Sequence, residues 1–132
     1  MFLDFYSGST KTDGIVYDLL WSGKSIELKT DTYSMSSTEN FFMEKYSNDK
    51  DYALGGPFRA AKDCVDYFCY LFINDRMIFW FEPLPLVNFL ETYIIGQKPK
   101  EIKNVKWTTI GYTVPREDCQ KLCVRQDTFN YV

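Results

Sequence analysis

Glu27 and Lys29 stand two positions apart in the run Ser25-Ile26-Glu27-Leu28-Lys29-Thr30, and Asp18 precedes Glu27 by nine. Residues i and i+2 of an extended strand emerge on one face, so Glu27 and Lys29 project together. A turn at Ser22-Gly23-Lys24 predicts that residues 15–21 and 25–30 pair as a β-hairpin. A residue near 18 then lies roughly opposite one near 28, which brings Asp18 and Glu27 to the same end, within about one residue of register. Two carboxylates suit one Mg²⁺ or Mn²⁺, with waters and a substrate phosphate completing the octahedron. Such an ion acidifies a water and stabilises charge developing on phosphate, while a lysine orients or deprotonates the attacking water. The plainer alternative is an exposed charged face with Asp18 as salt-bridge partner, because E-x-K recurs by chance. Against it, charged groups on strands otherwise rich in Ile, Val, Leu and Trp are costly unless paired or metal-bound.

The composition narrows the chemistry. Histidine is absent from the chain, which removes Ser-His-Asp and Cys-His catalysis and any nuclease that needs a histidine base. Carboxylate, lysine, tyrosine and metal-bound water remain. The net charge of −3 is unlike the basic surface of a protein that grips nucleic acid unaided. Divalent ions would have to offset the acidic cluster, with local lysines doing the rest. Cys64, Cys69, Cys119 and Cys123 lack the C-x-x-C spacing of common zinc sites and fit no standard iron–sulfur run, so reduced, mostly buried thiols are expected.

The elements that must position these groups follow from pattern. At 132 residues and 45% hydrophobic, the chain suits one domain with a real core. No run approaches the roughly 20 apolar residues of a membrane span, and the N-terminus has no basic-then-apolar leader, so a cytoplasmic protein is expected. After the hairpin, residues 31–39 read as a polar loop and 40–46 as a third strand. Gly55-Gly56-Pro57 marks a break, with Pro57 suited to the first turn of a helix over 58–65. Residues 67–73 and 77–81 read as a strand pair turning at 74–76. Apolar spacing at Leu86, Phe89, Leu90 and Tyr93 predicts a helix over 85–95, ended by Gly96. A strand over 106–114 and a helix over 115–125 complete a mixed α/β (α+β) domain, with one central sheet flanked by helices.

Asp18…Glu27-Leu28-Lys29 resembles the signature of the PD-(D/E)xK nuclease superfamily: an acid, a hairpin, then (D/E)-x-K on the next strand. The resemblance continues through Glu27-Leu28-Lys29-Thr30-Asp31, Asn40-Phe41-Phe42-Met43-Glu44, the glycine turn and Ala61 to Phe68, covering roughly residues 13–82. The series is like that of small stand-alone nucleases of phages and mobile elements. Tyr17 replaces the proline that often precedes the first acid. The resemblance implies a restriction-endonuclease-like fold, with Asp18, Glu27 and the Leu28 carbonyl as metal ligands and Lys29 serving the water. Glu44 would be a further acid at the site. Many members add a glutamate from an N-terminal helix; here Tyr6 to Thr10 is a poor helix, and Asp4 or Asp13 would have to substitute. Asp31 would cap the loop, and Asp66 would cap a turn or pair with Arg59 or Lys62.

The expected activity is Mg²⁺- or Mn²⁺-dependent endonucleolytic hydrolysis of phosphodiester bonds, in DNA before RNA. Junction resolution would follow if the chain forms a homodimer, because two symmetric cuts need two sites. Lys98, Lys100 and Lys103, in a run that also suits a solvated loop, and Arg59 and Lys62 are the candidate phosphate contacts. The rival expectation is a catalytically inactive nuclease-fold protein acting as a protein- or nucleic-acid-interaction module, with Trp80, Phe81 or Phe129 exposed as its partner surface. A metal-dependent phosphatase would want more carboxylates or histidines than the pattern offers.

Overall fold

The computed structural model describes residues 10–11 and 19–128. In chain order the strands are β1 (Thr10–Lys11), β2 (Leu19–Trp21), β3 (Lys24–Asp31), β4 (Asn40–Asn48) and β5 (Ala53–Leu54), followed by helix α1 (Gly56–Lys62). Then come β6 (Tyr67–Phe72), β7 (Met77–Phe81), helix α2 (Pro83–Tyr93), β8 (Lys100–Lys103) and β9 (Thr108–Pro115). A short helix α3 (Arg116–Cys119) runs through a 3₁₀ turn, Gln120–Leu122, into β10 (Cys123–Thr128).

Ser22 and Gly23 both adopt positive φ, 50° and 76°, as a two-residue hairpin turn requires. That turn sets the register Leu19↔Ile26, Leu20↔Ser25 and Trp21↔Lys24. On its other side β3 pairs in parallel with β6, from Ile26↔Tyr67 to Asp31↔Phe72. A parallel neighbour needs a crossover, supplied here by β4, β5 and α1. Pro57 sits in the first turn of α1, as its fixed φ favours. The tail of β7 is covered by β10, giving one sheet in the order β1-β2-β3-β6-β7-β10.

The expectation of a single central sheet is corrected: the described strands form two. The second has the order β5-β4-β9-β8. The third strand of the sequence pattern leaves β3 because the loop between them is anchored elsewhere. Arg116 donates to the carbonyls of Met35 (3.0 Å) and Thr38 (3.2 Å), and its own N–H donates to Glu39 O (2.8 Å). Those contacts seat β4 against β9, with Asn40 opposite Pro115 and Phe41 opposite Val114. Phe41 and Met43 then point into the seam between the sheets, where Phe41 meets Tyr70, Phe79 and Phe81 edge-on. Edge-to-face packing is a preferred arrangement of aromatic pairs.

The strand β6, Tyr-Phe-Cys-Tyr-Leu-Phe, is buried on both faces. Phe68, Tyr70 and Phe72 join the seam, while Cys69 and Leu71 join Ile26, Ile78 and Trp80 on the far side of the sheet. Continuous rather than alternating apolarity is what a doubly covered strand demands. Helix α2 buries Leu86, Val87 and Leu90, and Gly96, at φ 77°, lies just beyond its end.

The helix expected over 115–125 is also corrected. It stops at Cys119, and residues 123–128 instead extend as β10 along β7. There Arg125 lies over the Trp21 and Trp80 rings, 5.3 and 5.4 Å from their centroids, and pairs with Asp127 at 2.8 Å. A free edge of β7 offers backbone hydrogen bonds that outweigh a short stretch of helical pattern. Trp80 and Phe81, expected as an exposed surface in the rival reading, are 1% and 0% exposed. Phe129 lies outside the described residues. Among the described residues, no helix is long and apolar enough to cross a membrane.

Candidate functional site

Alternation along β3 sets Glu27, Lys29 and Asp31 on the same side as their parallel partners Phe68, Tyr70 and Phe72. This is the side on which the second sheet packs. Leu28 points the other way, into the cluster with Cys69 and Trp80. The three polar residues are therefore held at the seam and not on open surface.

Asp31 closes one end of this row. Its Oδ2 accepts from the Tyr70 hydroxyl at 2.5 Å, and its Oδ1 from the Tyr33 N–H at 2.8 Å. The second contact makes the loop cap that its sequence position suggested. The Tyr70 oxygen in turn accepts from the Phe42 N–H at 2.9 Å, so one hydroxyl ties β6 to both β3 and β4. Burial, then donation to Asp31, pushes this phenol above the usual tyrosine range. It keeps its proton.

Phe42 and Glu44 share the other face of β4 from Phe41 and Met43. The Lys29 Nζ lies 5.8 Å from the Phe42 ring centroid, and its charge acts directly on Glu44. Burial raises the Glu44 carboxyl, and Lys29 and the Gly56 N–H pull it partly back. A β-bulge between Glu44 and Tyr46 turns Lys45 away, over the Tyr46 and Phe58 rings at 5.5 and 5.6 Å.

The double glycine receives this carboxylate. A Cβ on Gly55 would lie 2.2 Å from the Glu44 Oε2, and one on Gly56 2.9 Å from the Glu44 carbonyl oxygen. Gly56 also sits at φ 50°, where a side chain adds strain. The sequence marked these glycines as a break; their fit to Glu44, 11 and 12 residues earlier, is visible only in three dimensions.

Of the expected catalytic residues, the fold thus sets Lys29 within electrostatic reach of Glu44 on the other sheet, with Glu27 beside Lys29 along β3. Asp18, Asp13 and Asp4 lie outside the described residues. Among the described residues no three His, Cys, Asp or Glu side chains gather as a metal-binding group. All four cysteines are free thiols, with Cys69 and Cys119 buried. Burial raises the thiols of Cys69, Cys119 (to about 12) and Cys123.

The expected phosphate contacts are spread out. Arg59 pairs with Asp63 at 3.5 Å, and Lys62 is exposed on α1. Asp66, expected to cap a turn or pair with Arg59 or Lys62, binds the Ser25 N–H (2.8 Å) and hydroxyl (3.1 Å) and so clamps the start of β3 to β6. Lys98 is exposed before β8, and Lys100 and Lys103 lie on β8, an exposed edge strand that the sequence read as loop. Three residues apart, they project from opposite faces.

Beside the Lys29 row lies a cleft of about 310 Å³ lined by Asp31, Tyr33, Asn40, Phe42, Lys100 and Thr113. A larger hollow of about 540 Å³, beside Lys24, Cys64 and Glu82, lies at the opposite end of β3. Comparison with protein-family models, with curated proteins and with solved structures gave no match.

Proposed function

We propose that this protein is a metal-dependent phosphodiester hydrolase acting on nucleic acid, DNA before RNA, with its centre on β3. The observation that carries the reading is that Lys29 of the E-x-K strand lies within electrostatic reach of Glu44 on the other sheet. A half-buried carboxylate and an ammonium group beside an aromatic ring are costly to hold without a use for them. Glu27, projecting on the same face of β3 as Lys29, supplies a further carboxylate.

The donors are hard carboxylate oxygens, chemistry suited to Mg²⁺ or Mn²⁺. Asp18 and Glu27, with the Leu28 carbonyl, would hold the ion, and the fit needs Asp18. When bound, it would supply an acidified water and neutralise charge on the phosphate. The chain's own residues do the rest. Lys29 orients the attacking water and offsets charge on the phosphate. Glu44, its carboxyl raised by burial, holds or releases a proton next to Lys29. A homodimer would supply the two centres that paired cuts in a junction require.

A second reading, a non-catalytic interaction module on this scaffold, is favoured by the β8–β9 turn. There Val105 is fully exposed, and Ile102 and Trp107 are 40% and 42% exposed. One experiment separates the two. Purified protein is incubated with supercoiled plasmid, single strands and a four-way junction in Mg²⁺ or Mn²⁺, beside Lys29→Ala and Asp18→Asn. Metal-dependent cutting that both variants lose supports the hydrolase. No cutting by folded wild-type protein sinks it and leaves the module.

A further inference from the structure

The cleft beside Lys29 combines features that the hydrolytic centre does not use. Its rim carries Tyr33, a large aromatic that is 65% exposed. The loop that presents Tyr33 is fastened on several sides. Asp31 accepts the Tyr33 N–H, Asp75 accepts the Met35 N–H at 2.6 Å, and Arg116 holds the carbonyls of Met35 and Thr38. An exposed ring on an immobilised backbone is a platform whose ordering cost has already been met by folding.

Phe42 forms part of the cleft wall, and its ring rests on Gly111. A Cβ there would lie 2.5 Å from the Phe42 Cζ, so the ring lies flat only because Gly111 has no side chain. Across the sheet Gly111 is flanked by Glu44 on one side and Lys100 on the other, in a single register row. Lys100 is therefore two strand spacings, about 10 Å, from Glu44 on the same face. The cleft thus brings Tyr33, Phe42 and Lys100 together, with Phe41 also in its lining, and it adjoins Lys29 through Phe42. Both oxygens of Asp31, the acid in the cleft, are engaged by Tyr33 and Tyr70.

We propose that this cleft binds single-stranded nucleic acid, with a base stacked on Tyr33 and Phe42 and the adjoining phosphate held by Lys100. Aromatic faces accept any base, and a cationic side chain beside them follows the backbone. A volume of about 310 Å³ is of the size that one nucleotide fills. The strand would then run along the row from Lys100 towards Glu44 and Lys29. The assignment rests on the hydrolase reading for the class of ligand, but binding itself needs no metal.

The test is fluorescence anisotropy of a labelled short oligothymidylate in EDTA, with wild-type protein, Tyr33→Ala, Lys100→Ala and Lys103→Ala. All three side chains are exposed, and circular dichroism confirms folding of each variant. Loss of one stacked base in Tyr33→Ala weakens binding by about tenfold. Lys100→Ala lowers the slope of log affinity against log salt by about 0.7, one phosphate contact. Lys103, on the opposite face of β8, leaves the slope unchanged. The proposal is overturned if wild type does not bind, if Tyr33→Ala binds like wild type, or if unlabelled duplex competes as well as unlabelled single strand. Cutting assays on the same proteins separate the two readings. Binding that depends on Tyr33 and Lys100 without cutting sinks the hydrolase alone. Cutting that survives in both variants sinks this cleft alone.

Discussion

Replacing Tyr70 by Phe removes one oxygen atom and two hydrogen bonds from the seam between the sheets. Tyr70 is 0% exposed, donates to Asp31 at 2.5 Å and accepts from the Phe42 N–H at 2.9 Å. A hydrogen bond to a charged group contributes about 1.5–3 kcal/mol and a neutral one about 0.5–1.5 kcal/mol. The two together predict a loss of about 3 kcal/mol, or about 10 °C in Tm for a chain of this size. Urea unfolding followed by tryptophan fluorescence reads it directly, with an unchanged denaturant slope marking a true stability effect.

The pH dependence carries a sign. The Tyr70 phenol is raised above its ordinary value by burial and by donation to Asp31. An unfolded tyrosine titrates near about 10, so the stabilisation is fully present below that pH and is lost as pH rises beyond it. The gap between wild type and Tyr70→Phe is therefore constant through neutrality and narrows above about pH 10. A double-mutant cycle with Asp31→Asn isolates the pair, with an expected coupling of about 1–2 kcal/mol. A total loss below about 1 kcal/mol would refute the reasoning, because it would mean water satisfies both partners and the seam is wet.

Gly55→Ala places a Cβ 2.2 Å from the Glu44 carboxylate and destabilises by about 1–3 kcal/mol in thermal unfolding; Glu44→Ala in the same chain restores most of the loss, and no restoration refutes the cradle. Because burial raises the Glu44 carboxyl, its favourable contribution is present below its unfolded value of 4.5 and is lost as pH rises through its folded value. Glu44→Gln therefore raises Tm at neutral pH without divalent ions, and the gain disappears towards pH 4.5; a fall at neutral pH would show that Lys29 and the Gly56 N–H outweigh burial. Native-state thiol titration finds one fast-reacting group, the exposed Cys64, and four in denaturant; rapid reaction of Cys69 would contradict its burial.

Much of the local structure is legible in the residues themselves. Ser22-Gly23 dictates a two-residue turn, and with it the Leu19↔Ile26 register that aims Glu27 and Lys29 to one face. The unbroken apolarity of β6 announces a strand covered on both sides, and Pro57 and Gly96 punctuate helices where expected. These are interactions among neighbours, which a short window of sequence contains.

What tertiary structure alone decided involves partners distant in the chain. Arg116 draws the loop at Met35 and Thr38 towards β9, 78 to 81 residues away, and so splits the expected single sheet in two. Residues 123–128 become a strand because β7 leaves an edge to pair, and Trp80 and Phe81 are buried by elements no local pattern assigns to them. Glu44 comes within electrostatic reach of Lys29 only once the second sheet has packed on the first, and Gly55 reaches Glu44 through the pairing of β5 with β4. A strand's pattern says which face it buries; which sheet it joins is settled by competition among edges and by the anchors of its loops.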